Sequence, residues 1–113
     1  MAKIKINVYT KMNKIEKNDE FLAIKDEDVI KYIDFENNKM IINMSKDTII
    51  RENSDYIFIL DFVNNNINVF VKKLKKSFDK SIKTLLVEKT KKRYLVRYLL
   101  EDENEINEYY VNF

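Results

Sequence analysis

KMIINMSKDTIIRENSDYIFILDFVNNNINVFV, residues 39 to 71, holds four short runs in which side chains two apart share their character. Met40, Ile42 and Met44 form one such set, followed by Ile49 with Arg51, then Tyr56, Phe58, Leu60 and Phe62, then Ile67, Val69 and Val71. Successive side chains of a strand point to opposite faces, so this period marks strands with one face in a core. Between the runs stand Asn53-Ser54-Asp55 and Asn64-Asn65-Asn66, and Asn37-Asn38 precedes them. Asparagine is the non-glycine residue that best tolerates the positive φ of tight hairpin turns. Four strands joined by such short connections predict an antiparallel meander, because a parallel crossover needs a dozen or more residues.

The same alternation extends to both ends of the chain. Ile4, Ile6 and Val8 share a side near the start, and the pattern returns at Val29 to Phe35, Arg93 to Leu100 and Tyr109 to Phe113. The reading is a single all-β domain over residues 1–113, an antiparallel barrel or sandwich of about eight strands. One stretch departs from it. Val71, Leu74, Phe78, Ile82 and Leu85 recur at three- and four-residue spacing, which predicts a short amphipathic helix near 72–80. Beyond it, TLLVEKTKKRYLVRYLL reads as two β-rich runs hinged at Lys89 to Lys92. Two strands are also apolar on both sides: Ile57 and Ile59 back the Tyr56 set, and Leu95 and Leu99 flank Arg97. A covering helix or a second copy of the chain, forming a homodimer, is expected on those outer sides.

Composition narrows the chemistry. The chain contains no histidine, cysteine, glycine, proline or tryptophan, while lysine, asparagine and isoleucine abound, as in proteins from AT-rich genomes. Without histidine or cysteine the commonest general base, the usual zinc ligands and thiol nucleophiles are gone. Without glycine no glycine-rich phosphate loop is possible. The expectation is a protein that is not an enzyme, with no cofactor and no metal. The acidic clusters Asp26-Glu27-Asp28 and Glu101 to Glu105 lack the alternating ligands and central glycine of a calcium loop, and read as solvated turns. The longest apolar run, Tyr56 to Leu60, is far short of the roughly 20 residues of a spanning helix. The start, MAKIKINVYT, lacks a continuous apolar segment, so the expected location is the cytoplasm, with no membrane partner.

Two arginines interrupt apolar alternations. Arg51 follows Ile49 on one side of its strand, and Arg97 lies between Leu95 and Leu99. A buried charge must be paired, must meet a ligand or must snorkel to water, and Asp61 is a candidate partner for either. Charge is also uneven along the chain. Lys72, Lys73, Lys75, Lys76, Lys80, Lys83, Lys89, Lys91, Lys92 and Arg93 face only Asp79 and Glu88 within residues 72–93, a net charge of +8. That segment is either a solvated face or a basic surface for nucleic acid or an acidic protein. Few aromatics interleave with the lysines, so base-stacking platforms are not evident.

The order KYIDFENN, KMIINMSKDTIIREN, YIFILDF and RYLVRYLLEDENEINEYYVNF resembles the YwiB-like family of small bacterial proteins, a calycin-type, lipocalin-like barrel group without an assigned function. The resemblance matches Tyr32 to Glu36 with an aromatic-acidic strand, Arg51 with an arginine before a hairpin, and Tyr98 with a tyrosine of the penultimate strand. It implies a barrel that binds a small amphipathic or anionic ligand, lined by Arg51, Tyr32, Tyr98 and Arg97. The glycines usual in that family are missing here, and Asn53 stands where the hairpin glycine is expected.

Overall fold

The structure is a computed structural model that describes residues 1–101 and 103–113. Among the described residues there are ten strands and no helix: β1 (Ala2–Met12), β2 (Ile15–Asp26), β3 (Val29–Ile33), β4 (Lys39–Asn43), β5 (Thr48–Glu52), β6 (Tyr56–Asp61), β7 (Asn66–Val71), β8 (Lys76–Lys89), β9 (Arg93–Leu100) and β10 (Ile106–Asn112). Each strand pairs antiparallel with its sequence neighbours, and β1 pairs with β10, from Asn7↔Asn112 to Lys11↔Glu108, so the sheet closes into a barrel. The all-β antiparallel barrel expected from alternation is present, with two strands more than the eight that the clear runs indicated.

Both additional strands have a physical reason for escaping the pattern. In β2 the mouth half sets Ile15, Lys17 and Asp19 on the face shared with Phe21 and Ala23, while Leu22 and Ile24 lie on the other. Neither face of that strand is consistently apolar. In β8 the segment expected as a helix at 72–80 is a turn followed by strand. Its inward face runs Lys76, Phe78, Lys80, Ile82 and Thr84, in register with Val71, Val69 and Ile67 of β7 at its start. A β-bulge between Thr84 and Leu86 then inserts Leu85. The turn at 72–75 and the bulge each add residues to a period of two, and the sum mimics a spacing of three and four. The hinge at Lys89 to Lys92 is a hairpin as expected, joining β8 to β9.

Closure without glycine rests on non-glycine residues in the left-handed region. Asn13 (φ 51°) and Lys14 (φ 67°) form a two-residue hairpin between Met12 and Ile15, the positive-φ pair of a type I′ turn. Asn37 and Asn65 adopt the same conformation in the asparagine-rich turns predicted for them, and Glu27, Asp47 and Lys75 do so elsewhere. The acidic run at Glu101 to Glu105 joins β9 to β10, with Asp102 outside the described residues.

The barrel has a packed end and an open end. Ile6, Ile30, Ile42, Ile49, Tyr94, Val96 and Val111 are fully buried in its core. Where the β4–β5 and β8–β9 turns meet, the Tyr94 hydroxyl donates to Asp47 Oδ1 at 3.0 Å and Lys89 Nζ lies 2.9 Å from the same oxygen. At the other end lie the turns after β1, β3, β5, β7 and β9. Among the described residues no helix covers the outer face. Leu95, only 3% exposed, sits there beside its cross-strand neighbours Glu88 and Tyr110, while Ile57 and Ile59 stay half-buried.

Lys14 carries the largest positive φ of the seven such residues, at a position where glycine is unstrained. Its ion pair with Glu105 at 3.2 Å is too exposed to contribute much. Lys14→Gly is therefore expected to stabilise the barrel by about 0.5–1 kcal/mol, seen as a higher urea midpoint at constant m-value. A lowered midpoint would contradict this assignment of the turn.

Candidate functional site

Inside the open half lies a cavity of about 550 Å³, within the size range of small-molecule sites. It follows from the alternation. On each strand the inward side chains fill the packed end, but toward the mouth they are lined along the wall and do not meet in the middle. Val8, Ile49, Leu60 and Ile67 form an apolar floor, with Lys80 opposite Ile67, and Asn13, Lys17, Asp34 and Glu36 lie toward the mouth.

One inward row crosses Tyr32, Met40, Arg51, Phe58 and Val69, each residue opposite the next on neighbouring strands. Arg51 is thereby held on the inner wall. Its Cζ lies over the Phe58 ring at 4.7 Å and over the Tyr56 ring at 5.7 Å. Its Nε is buried and has no hydrogen-bond partner among the described residues. The aromatic faces stabilise the cation by roughly 0.5–2 kcal/mol, less than the several kcal/mol lost when a charged donor leaves water unpaired. Asp61, the expected partner, is elsewhere: its carboxylate accepts the backbone N–H groups of Val63 and Asn64 in the β6–β7 turn. Those bonds hold it below the usual carboxylate range.

Tyrosine hydroxyls share the cavity with Arg51. Tyr32, Tyr98 and Tyr109 all line it, and the Tyr32 and Tyr109 hydroxyls hydrogen-bond each other. Burial pushes Tyr32 up to about 12, with the Tyr109 bond pulling the other way. Burial likewise pushes Tyr98 to about 12 and raises Tyr109 well above 10, while the Arg51 charge works against both shifts and so reaches both rings. At neutral pH these phenols are donors and carry no charge. Tyr109 was not singled out from sequence, although its alternation with Val111 marks it as inward.

The mouth is built from side-chain caps. Asp34 Oδ1 accepts the backbone N–H groups of Glu36 and Asn38, both at 2.9 Å, and Oδ2 accepts Asn38 Nδ2 at 2.9 Å. Asn38, 5% exposed, in turn accepts Asn53 Nδ2 at 3.0 Å, so the asparagines serve as turn architecture. Lys17 Nζ meets Glu36 at 3.4 Å, and Phe35 stacks on Phe21 with centroids 4.8 Å apart.

Of the residues expected to line a pocket, Arg51, Tyr32 and Tyr98 do so, and Arg97 does not. Arg97 points outward, in register with Glu108 and Leu86. Its Nε and Nη2 donate to the Tyr110 hydroxyl at 3.1 and 2.7 Å, and Nε lies 3.1 Å from Glu108. It is an ion pair on the barrel's exterior, satisfied where it stands. The basic residues are likewise redistributed. β8 runs the height of the barrel, so Lys72, Lys73, Lys75 and Lys76 sit at the open end, and Lys89, Lys91, Lys92 and Arg93 at the packed end. Lys72 meets Glu52 at 3.0 Å, Lys89 meets Asp47, and Arg93 meets Glu88 at 2.6 Å. The basic residues of that segment are spread along β8, through Lys80 and Lys83, and over the turns at its two ends.

The buried phenols set the alkaline limit of the fold. Their ordinary pKa is 10, and in the folded state Tyr32 and Tyr98 reach about 12, so the stability they contribute is complete below pH 10. It is lost as pH rises from 10 to 12. Unfolding midpoints are expected to drop across that window, with phenolate absorbance of Tyr32, Tyr94, Tyr98 and Tyr109 appearing together with unfolding. Titration of all seven tyrosines near pH 10 in a still-folded protein would refute this placement.

No family model, curated protein or solved structure matches the chain, so the resemblance to the YwiB-like family has no support beyond the patterned segments that raised it.

Proposed function

We propose that this chain is a non-enzymatic binding protein whose barrel interior takes up a small amphipathic, anionic ligand. The observation that carries the reading is Arg51 on the wall of a cavity, a cationic side chain whose buried Nε has no hydrogen-bond partner among the described residues. A folded chain that keeps such a group away from water loses stability unless something completes it, and the complement of a cationic donor is an anionic acceptor. The apolar floor supplies the other half of the specificity, since Leu60, Ile67 and Val69 offer a transfer site for hydrocarbon. The phenols nearest Arg51 are held protonated, and the Asp34 carboxylate at the mouth is engaged by Glu36 and Asn38. Binding without turnover is the function these groups support.

The test uses an anilinonaphthalene sulfonate, a fluorescent amphipathic anion, with the full chain. Saturable binding of one molecule per chain is expected, weakened at least tenfold by Arg51→Met. The same substitution is expected to leave the urea midpoint unchanged or raised, because it removes an unpaired buried charge. Equal affinity in the variant, or no saturable binding by the wild type, refutes the proposal.

A further inference from the structure

From the donor inventory of the cavity we infer that the ligand's head group is a single carboxylate, bound by the edge of the Arg51 guanidinium. This deepens the proposed function and rests on it.

Three features narrow the class. The first is shape. Two aromatic rings lie near the Arg51 guanidinium, Phe58 at 4.7 Å and Tyr56 at 5.7 Å, and neither supplies an oxygen acceptor for its N–H edges. One of those edges includes the unpartnered Nε. A guanidinium edge presents two parallel N–H donors, and the planar acceptor that matches them with two oxygens is a carboxylate.

The second is charge. Arg51 and Lys80 both face inward and line the cavity, Lys80 being exposed, while Lys17 is engaged by Glu36 at 3.4 Å. Asp19 and Asp34 also line the cavity. Lys17, Arg51 and Lys80 are offset by Asp19, Asp34 and Glu36, so a monoanion adds one unmatched charge and a phosphate monoester, which carries nearly two at neutral pH, adds more.

The third is the supply of neutral donors. Tyr32 and Tyr109 share one hydrogen bond between two hydroxyls, so the accepting partner retains its own O–H for another acceptor. The Tyr98 hydroxyl adds another, with no hydrogen bond among the described residues and close enough to feel the Arg51 charge. These hydroxyls meet the carboxylate lone pairs left over by the guanidinium, and a carboxylate accepts about four hydrogen bonds in all.

The experiment is calorimetry of the full chain with a series sharing one ten-carbon tail: decanoate, decyl sulfate, decyl phosphate, decanol and decylamine, each below its micelle concentration at neutral pH. Decanoate is expected to bind at least tenfold tighter than every other member. Arg51→Lys keeps the charge but loses the fork, and should weaken decanoate tenfold or more while changing decanol less than twofold. Tyr98→Phe should weaken decanoate severalfold and leave decanol unaffected. If decyl phosphate, decyl sulfate or decanol binds as tightly as decanoate, the carboxylate inference is overturned while the amphiphile pocket stands. If no member of the series binds, the pocket itself is refuted along with it.

Discussion

The pairing of β1 with β10 is the constraint on which the rest depends. It joins residues 7–11 to residues 108–112 and converts a ten-strand meander into a ring without a free edge. Loop-closure entropy grows slowly with separation, about 0.6 kcal/mol per doubling, so joining the two ends of the chain costs little more than closing a loop half as long. In return the two strands that would template aggregation are satisfied. Closure also fixes which side is inside. Once the ring exists, the parity of every residue follows from its register, and Arg51, Tyr32, Tyr98 and Tyr109 are committed to the interior while Arg97 is committed to the exterior.

The two arginines show how much that parity decides. Both interrupt apolar runs, and both lie near aromatic rings. Arg97 faces outward and finds Tyr110 and Glu108 on the neighbouring strand, so its charge is paired at a half-wet surface. Arg51 faces inward, where its row offers Met40 and Phe58 as cross-strand neighbours and no acceptor. The same residue type in the same local pattern is structural in one place and poised for a ligand in the other. Packing accounts for the difference between the two ends as well. Bulky side chains such as Tyr94, Ile42 and Val111 fill the packed end, whereas at the open end small or polar residues, Thr10 and Asn38 among them, leave volume unfilled.

Turn chemistry carries the curvature. In a chain with no glycine, seven of the described residues take the left-handed conformation, three of them asparagines, and a bulge at Thr84–Leu86 bends β8. Asparagine and aspartate side chains then cap the backbone at the mouth, as Asp34 does for Glu36 and Asn38, and as Asn53 does for Asp55 and Tyr56. The asparagine abundance has a mechanical use here whatever its genomic origin.

Period-two alternation by itself determined the strand class, and with it the exact spans of β5 and β9 and the asparagine turns, because a half-buried strand writes its register directly into residues two apart. It also isolated Arg51 and Arg97 as charges out of place. What it did not determine was β2, whose mouth half is polar on the inner face, and β8, where a turn and a bulge disguised a strand as an amphipathic helix. Tertiary structure alone decided that the lysine-rich segment is spread along β8 and over the turns at its two ends, and that one arginine is paired while the other is bare. Local sequence specifies which neighbours a side chain alternates with; only closure of the ring specifies what stands across from it.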